Sequence, residues 1–111
     1  MRRGDLLTIA GRVGGDYQGK PRPAVVVQSD DFAATDSVTV CLLTSEEVAA
    51  PLLRLRVDPS PSNGLDRVSW IMVDKIATVR RAGTGAVFGR LGDAELVQLN
   101  RALPVFLGLA G

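Results

Sequence analysis

The sequence contains no histidine and only one cysteine among its 111 residues. Without histidine the chain has no imidazole general base, no Ser-His-Asp or Cys-His arrangement and no histidine metal site. Cys41 lies inside an apolar run, where a free cysteine usually serves as a small core residue. A lone cysteine forms neither an internal disulfide nor a zinc site. We therefore predict no metal and no cofactor.

Excess charge and long apolar runs are also missing. The formal net charge is +1, so any nucleic-acid contact must come from a local basic patch. No apolar run approaches the length of a membrane span, and no charged-then-apolar leader precedes the first apolar run. Hydrophobic residues make up 46% of the chain, which is normal for a globular protein. These features predict a single domain, residues 1–111, in the cytoplasm and away from membranes.

What the chain does contain is a series of short apolar runs bounded by turn residues. Such runs are typical of β-strands, and we predict strands over residues 4–10, 24–27, 38–43, 53–57, 67–73 and 86–91. The polar pair Asp74-Lys75 is expected to interrupt the fifth strand, with extended chain resuming over 76–79. Strands at this regular spacing, separated by turn-rich stretches, indicate a small, mostly antiparallel β-barrel.

One helix is predicted near the end of the chain, over residues 92–109. Asp93 and Glu95 suit a helix N-terminus, where backbone N–H groups favour negative charge. Pro104 lacks a backbone N–H and is expected to kink or restart the helix. Four apolar side chains share one face at helical spacing and are expected to pack on the barrel: Leu96, Leu99, Leu103 and Phe106.

Polar side chains mark the ends of two strands that follow each other in sequence. Arg22 stands between two prolines just before the run 24–27, and Thr44 and Ser45 directly follow the run 38–43. Because consecutive strands usually pair, these ends are expected to meet at one edge of the sheet. A second interpretation remains open, in which Arg22 is an ordinary exposed strand start and Thr44 caps a short helix or turn.

A glycine-rich polar segment, residues 11–21, precedes this arginine. A loop of this length in a small domain is more often functional than idle, although a plain hairpin loop remains the alternative. No GK[ST] pattern opens a helix after it, which argues against a nucleotide P-loop. Its side chains, together with two arginines on one face of the strand 53–57, form a local basic and polar set: Arg12, Tyr17, Gln18, Lys20, Arg54 and Arg56.

Five segments, in order, resemble the MazF/PemK family of toxins: RRGDLL, PRPAVVVQSD, LLTS, GLDRVSWIMVDKIATV and GRLGDAELVQLNRALPVFLGL. Together they cover nearly the whole chain. The resemblance implies a dimeric, SH3-like antiparallel barrel with a C-terminal α-helix. It also implies a sequence-specific, metal-independent endoribonuclease acting on single-stranded mRNA, kept in check by a MazE-like antitoxin. Direct DNA binding without the antitoxin is not expected.

The resemblance also assigns roles to individual residues. Arg22 in PRPAVVV and Thr44 in CLLTS match the family's catalytic arginine and threonine, with Ser45 as a supporting group. PemK-like members carry an Arg-Cys-Asp run, of which only Asp74 remains here, so Asp74 is a second supporting candidate. The basic and polar set defined above is expected to contact RNA.

Arginine fits the implied chemistry because its planar, permanently charged fork matches phosphate. The RNA 2′-hydroxyl would act as the nucleophile. Two other functions remain open at this stage. One is a CcdB-like toxin that binds gyrase without catalysis, and the other is an inactive family member that acts only in autoregulation with its antitoxin.

Overall fold

The short apolar runs of the sequence form β-strands, and the segment near its end forms an α-helix. The computed structural model describes residues 1–10 and 20–110. Six strands and one long helix follow in chain order: β1 (Asp5–Ile9), β2 (Arg22–Val26), β3 (Ser37–Thr44), β4 (Arg54–Val57), β5 (Ser69–Arg80), β6 (Thr84–Arg90) and α1 (Asp93–Phe106). The expectation of a mostly β, antiparallel fold with a C-terminal helix is confirmed.

The six strands form one antiparallel sheet in the order β4-β5-β3-β2-β1-β6. The two strands expected to pair do so, with Ala24 level with Leu42 and Val26 level with Val40. β1, the first strand, lies between β2 and β6. β4 and β6 are therefore the two outer strands of the ladder.

The loop between β4 and β5 brings these outer strands together. The Arg90 N–H in β6 donates to the Ser62 carbonyl at 2.9 Å, so the loop pairs with the β6 edge. Buried Asn63 holds the loop in shape. Its side-chain oxygen accepts from the Ser60 and Leu65 N–H groups at 3.0 Å each, and its amide nitrogen donates to a carbonyl at 2.8 Å. The loop thereby covers an edge that would otherwise be open to pairing with another chain.

The sheet buries an apolar cluster on each face. Side chains alternate across a strand, so Leu6 and Val25 enter one cluster while Leu7 and Ala24 enter the other. Leu99 of α1 is fully buried in the first cluster, with two helix neighbours partly buried beside it, Leu96 and Leu103. The predicted apolar stripe of the helix is thus observed up to Leu103, whereas Phe106 is 44% exposed.

The predicted interruption of the fifth strand is wrong, because β5 runs continuously from Ser69 to Arg80. Its register against β3 does shift at this point. Cys41 is level with Ile76 and Leu43 with Ile71, so two residues of β3 span five of β5. Asp74 and Lys75 lie inside this irregularity. There a lysine is exposed and the aspartate pairs with an arginine, so neither charge has to break the strand.

The helix also differs from its prediction. It ends at Phe106 rather than 109, because Gly108 adopts φ +77° and the Leu109 N–H turns back to the Pro104 carbonyl at 2.7 Å. Pro104 does not restart the helix. It lies in the last turn, where its missing N–H removes a single bond. At the start, the Glu95 carboxylate accepts from the Gly92 N–H at 2.9 Å, which is half of a capping box.

None of the helices in residues 1–10 and 20–110 is both long enough and apolar enough to cross a membrane.

Candidate active site

The pairing of β2 with β3 brings the start of one strand and the end of the other to the same edge of the sheet. The last recorded pair is Ala24 with Leu42. Arg22 lies two residues before Ala24, and Thr44 lies two residues after Leu42, so both lie just beyond this pair at the same edge. The sequence-based expectation that these strand ends share one edge is therefore met in the structure.

Both residues line an open cleft of about 690 Å³. One wall is built by the entry to β2, which contributes Lys20, Pro21, Arg22 and Pro23, and by the end of β3, which contributes Thr44, Ser45 and Glu46. The facing side consists of the loop that covers β6, with Gly64, Leu65, Asp66 and Arg67, and of Phe88 in β6. Arg22 is half-buried, and the two prolines beside it favour extended backbone.

Thr44 combines a structural role with its position in the cleft. Its hydroxyl oxygen accepts from the Glu46 N–H at 3.1 Å, which resembles a helix cap. The described chain then continues as bends and turns, so of the helix or turn left open for Thr44 the structure shows a turn. Pro51 and the bonds of the Ala50 carbonyl to Leu53 and Arg54 shape a turn instead. Accepting this bond leaves the hydroxyl proton of Thr44 available for donation into the cleft.

The other predicted site residues separate into three groups. Lys20 and Ser45 are exposed and line the cleft. Arg54 instead pairs with Asp74 on the neighbouring strand, and Arg56 pairs with Asp58 at 2.9 Å. Within the described residues, 1–10 and 20–110, neither of these two ion pairs lines the cleft. Three further residues fall outside the described part of the chain: Arg12, Tyr17 and Gln18.

Several cleft residues are not foreseen from the sequence, and they include two carboxylates, an arginine and an aromatic ring: Glu46, Asp66, Arg67 and Phe88. Asp66 lies in the turn-rich stretch between the predicted strands 53–57 and 67–73, where the sequence offers no sign of a site. Phe88 was read only as part of a short strand. A usable signal was present in the latter case, because glycine inside a strand often marks a bulge, and Gly85 and Gly89 flank Phe88.

The cleft is suited to holding an anion by charge and hydrogen bonds. Lys20, Arg22 and Arg67 supply positive charge, against the carboxylates of Glu46 and Asp66. No three His, Cys, Asp or Glu side chains within the described ranges lie close enough together to hold a metal ion.

A thiol nucleophile has no support in the structure. Cys41 is fully buried in the core, as expected for a small core residue. Burial raises the pKa of its thiol to about 12, so it stays protonated and unreactive at neutral pH.

Comparison with known proteins gives the family. Residues 2–107 match the family model described as PemK-like, MazF-like toxin of type II toxin–antitoxin system. A curated relative from Mycolicibacterium smegmatis, named probable endoribonuclease MazF, is 50% identical over 111 residues, which is 100% of both chains. The endoribonuclease MazF of Staphylococcus saprophyticus is 27% identical over 98% of this chain and 92% of its own.

Solved structures support the same fold. An endoribonuclease in complex with its cognate antitoxin, from a mycobacterial species, superposes with a TM-score of 0.78 at 23% identity, covering 100% of this chain and 98% of the other. A MazE–MazF structure from Deinococcus radiodurans also gives 0.78, at 20% identity, over 99% and 97%. With the family model and the mycobacterial relative both spanning nearly the whole sequence, this chain belongs to the MazF/PemK family of type II toxins.

Proposed function

We propose that this MazF-family endoribonuclease cuts single-stranded mRNA at specific sequences, without a metal, and that residues 1–111 form one toxin domain. The observation that carries the proposal is the shared cleft of Arg22 and Thr44, built where β2 begins and β3 ends. A guanidinium and a hydroxyl in one open, polar cleft offer two donors to the oxygens of a phosphate.

RNA supplies its own nucleophile in this scheme. The 2′-oxygen attacks the adjacent phosphorus, the bond to the 5′-oxygen breaks, and the products carry a 2′,3′-cyclic phosphate and a 5′-hydroxyl. One proton leaves the 2′-hydroxyl and one reaches the 5′-oxygen. Arg22 remains charged at any working pH, so its task is to stabilise negative charge on phosphorus oxygens rather than to move protons. Glu46 and Asp66 are carboxylates in the cleft through which the 2′-proton can leave.

The proposal is tested with purified protein and total cellular RNA. New 5′ ends should map to one short sequence motif, and they should form equally well in EDTA. A DNA strand of the same sequence should stay intact, because it lacks the 2′-hydroxyl. Loss of all cleavage in EDTA would overturn the metal-free mechanism. A protein that leaves RNA intact but inhibits gyrase supercoiling would instead have the CcdB-like activity.

Thr44→Val should lower the cleavage rate by roughly 10- to 100-fold, since hydrogen bonds to charged groups contribute about 1.5–3 kcal/mol. Loss of the bond from the Glu46 N–H should cost about 1 kcal/mol of stability. Thr39→Val is a matched control in the same strand, because the Thr39 hydroxyl bonds only that of Thr78, at 2.8 Å and away from the cleft, in the contacts described. Single-turnover cleavage and thermal melting separate the two effects. If Thr44→Val cleaved RNA as fast as Thr39→Val, Thr44 would have no role in cleavage.

The proposed assembly is a symmetric homodimer. The C-terminal part of the chain exposes several large apolar side chains: Val97, Val105, Phe106, Leu107 and Leu109. Leu109 is 78% exposed, and a cluster of this kind is typical of a surface that another chain covers. Light scattering at micromolar concentration should report the dimer mass. A monomer that still cuts RNA would contradict this assembly.

The proposed inhibitor is a MazE-like antitoxin that meets the toxin in the cytoplasm. One structural neighbour is an endoribonuclease in complex with its cognate antitoxin, and another is a MazE–MazF structure. The cationic groups of the cleft, Lys20, Arg22 and Arg67, would attract an acidic, partly disordered tail that folds on binding. Such a tail would block the RNA site by occupying it. Co-expression with the product of the neighbouring reading frame should restore growth, and failure to bind or to rescue would contradict this pairing.

A further inference from the structure

Phe88 occupies an irregular position in β6. Leu6 of β1 is level with Gly89, and the next residue, Leu7, is level with Val87, so the described ladder leaves Phe88 as the extra residue of a β-bulge. Bulges bend a strand and re-aim a side chain, and they are common beside active sites. Here the re-aimed side chain belongs to the wall of the cleft that contains Arg22 and Thr44.

The loop over β6 packs closely against Phe88 at Gly64. Gly64 has φ +68°, and a Cβ placed on it would lie 2.7 Å from the Phe88 carbonyl oxygen and 3.2 Å from ring atom Cδ1. This close backbone approach requires glycine. Despite this packing, 38% of Phe88 stays exposed to solvent. The ring is therefore held in place but remains partly exposed, so a planar group can stack on it.

The chemistry of the cleft selects the partner. Arg22 and Thr44 offer donors to a phosphate, and Phe88 lines the same cleft. With the phosphate of an RNA strand held at these donors, the group that can reach Phe88 is the base of an adjoining nucleotide. Unpaired bases stack on aromatic side chains in single-strand-binding proteins, and this stacking tolerates any base because every base has a π-face.

We propose that Phe88 is a stacking platform for one unpaired nucleobase next to the scissile phosphate. The inference rests on the proposed function and adds a base subsite to it. Phe88 is then a substrate-positioning residue, which holds the strand so that the 2′-oxygen, the phosphorus and the 5′-oxygen can align.

The test uses an RNA oligonucleotide that contains the mapped cleavage motif. A 2′-deoxy sugar at the attacking nucleotide makes it uncleavable, and 2-aminopurine is placed in turn at each position around the scissile phosphate. Stacking quenches 2-aminopurine, so the parent protein should quench one position. Phe88→Ala and Phe88→Leu should both lose this quenching, whereas Phe88→Tyr should keep it. The Leu variant retains apolar bulk and guards against simple misfolding. Phe32→Ala, which removes a 61% exposed ring outside the cleft, should behave like the parent.

Affinity gives a second, independent readout. Stacking on an aromatic side chain changes affinity by roughly 5- to 150-fold on alanine substitution. An abasic site at the quenched position should weaken binding by the parent to the same extent, and Phe88→Ala should then add nothing further. Additive losses would overturn the stacking contact. So would unchanged affinity in Phe88→Ala.

Other outcomes are equally decisive. Lost dimer mass in Phe88→Leu with unchanged RNA affinity would show that a second copy of the chain covers Phe88, and would overturn the proposal. If the parent cuts RNA but quenches at no position, the platform fails while the proposed function stands. If the parent neither binds nor cuts RNA, both fail together.

Discussion

Arg22→Ala is expected to slow RNA cleavage by about a hundredfold or more while leaving the fold intact. Arg22 begins β2, and its side chain and that of Thr44 line the same cleft. Removing a preorganised donor from developing negative charge typically costs about 3 kcal/mol in the barrier, which is a hundredfold in rate. A half-buried arginine at a strand start contributes little to stability, within about 1 kcal/mol.

Two further variants sharpen this result. Arg22→Lys keeps the charge but not the planar fork, so its rate should fall between those of parent and alanine variant. Arg80→Ala removes an exposed arginine at the far end of β5, outside the cleft, and should cleave like the parent. All four proteins are compared by single-turnover cleavage and thermal melting. Parent-like cleavage by Arg22→Ala would shift attention to Lys20 and Arg67.

Gly89→Ala is expected to destabilise the protein by roughly 3 kcal/mol, the upper end of the usual cost of overpacking. A Cβ on Gly89 would lie 2.0 Å from the Asn63 carbonyl oxygen and 2.3 Å from its carbon. The obstacle is backbone, and four hydrogen bonds of Asn63 fix it in the loop. The strand and the loop must separate, which also stretches the bond from the Arg90 N–H to Ser62.

Thermal melting measures this cost. A loss of about 3 kcal/mol corresponds to a fall of roughly 12 °C in Tm for a domain of this size. Gly83→Ala is the matched control, since an added Cβ there meets nothing within 4 Å. It should melt at or slightly above the parent temperature, because alanine restricts the unfolded chain. If both variants melted alike, the loop would not be packed against β6 as described.

Sequence reasoning succeeded where the relevant contacts are local or join neighbouring strands. The pairing of β2 with β3 needed only two valine-rich runs and a short connection, and their polar ends then met by geometry. Burial of Cys41 followed from its apolar neighbours. The start of α1 followed from Asp93 and Glu95, because helix termini are controlled by a few nearby residues.

The misses come from contacts between distant parts of the chain. The ion pair of Arg54 was not foreseen, because its partner Asp74 lies 20 residues away and reaches it only once β4 and β5 are in register. The continuity of β5 has a similar cause. Its register against β3 shifts beside Asp74 and Lys75, so the strand accommodates two charged residues without ending. Phe88 became a cleft residue through a bulge set by pairing with β1, and no local pattern fixes which residue of β6 is the extra one.

The position of β6 beside β1 bears on the order in which the cleft is assembled. Arg90 and Asp5, which form an ion pair at 3.1 Å, lie 85 residues apart in sequence. Contacts of such long range form late, because closing a long loop costs entropy before any contact compensates it. During synthesis β1 emerges before β6, so the Phe88 side of the cleft is absent from the growing chain until residues 84–90 have been made. A chain halted before that point would carry Arg22 and Thr44 without the opposite wall of their cleft.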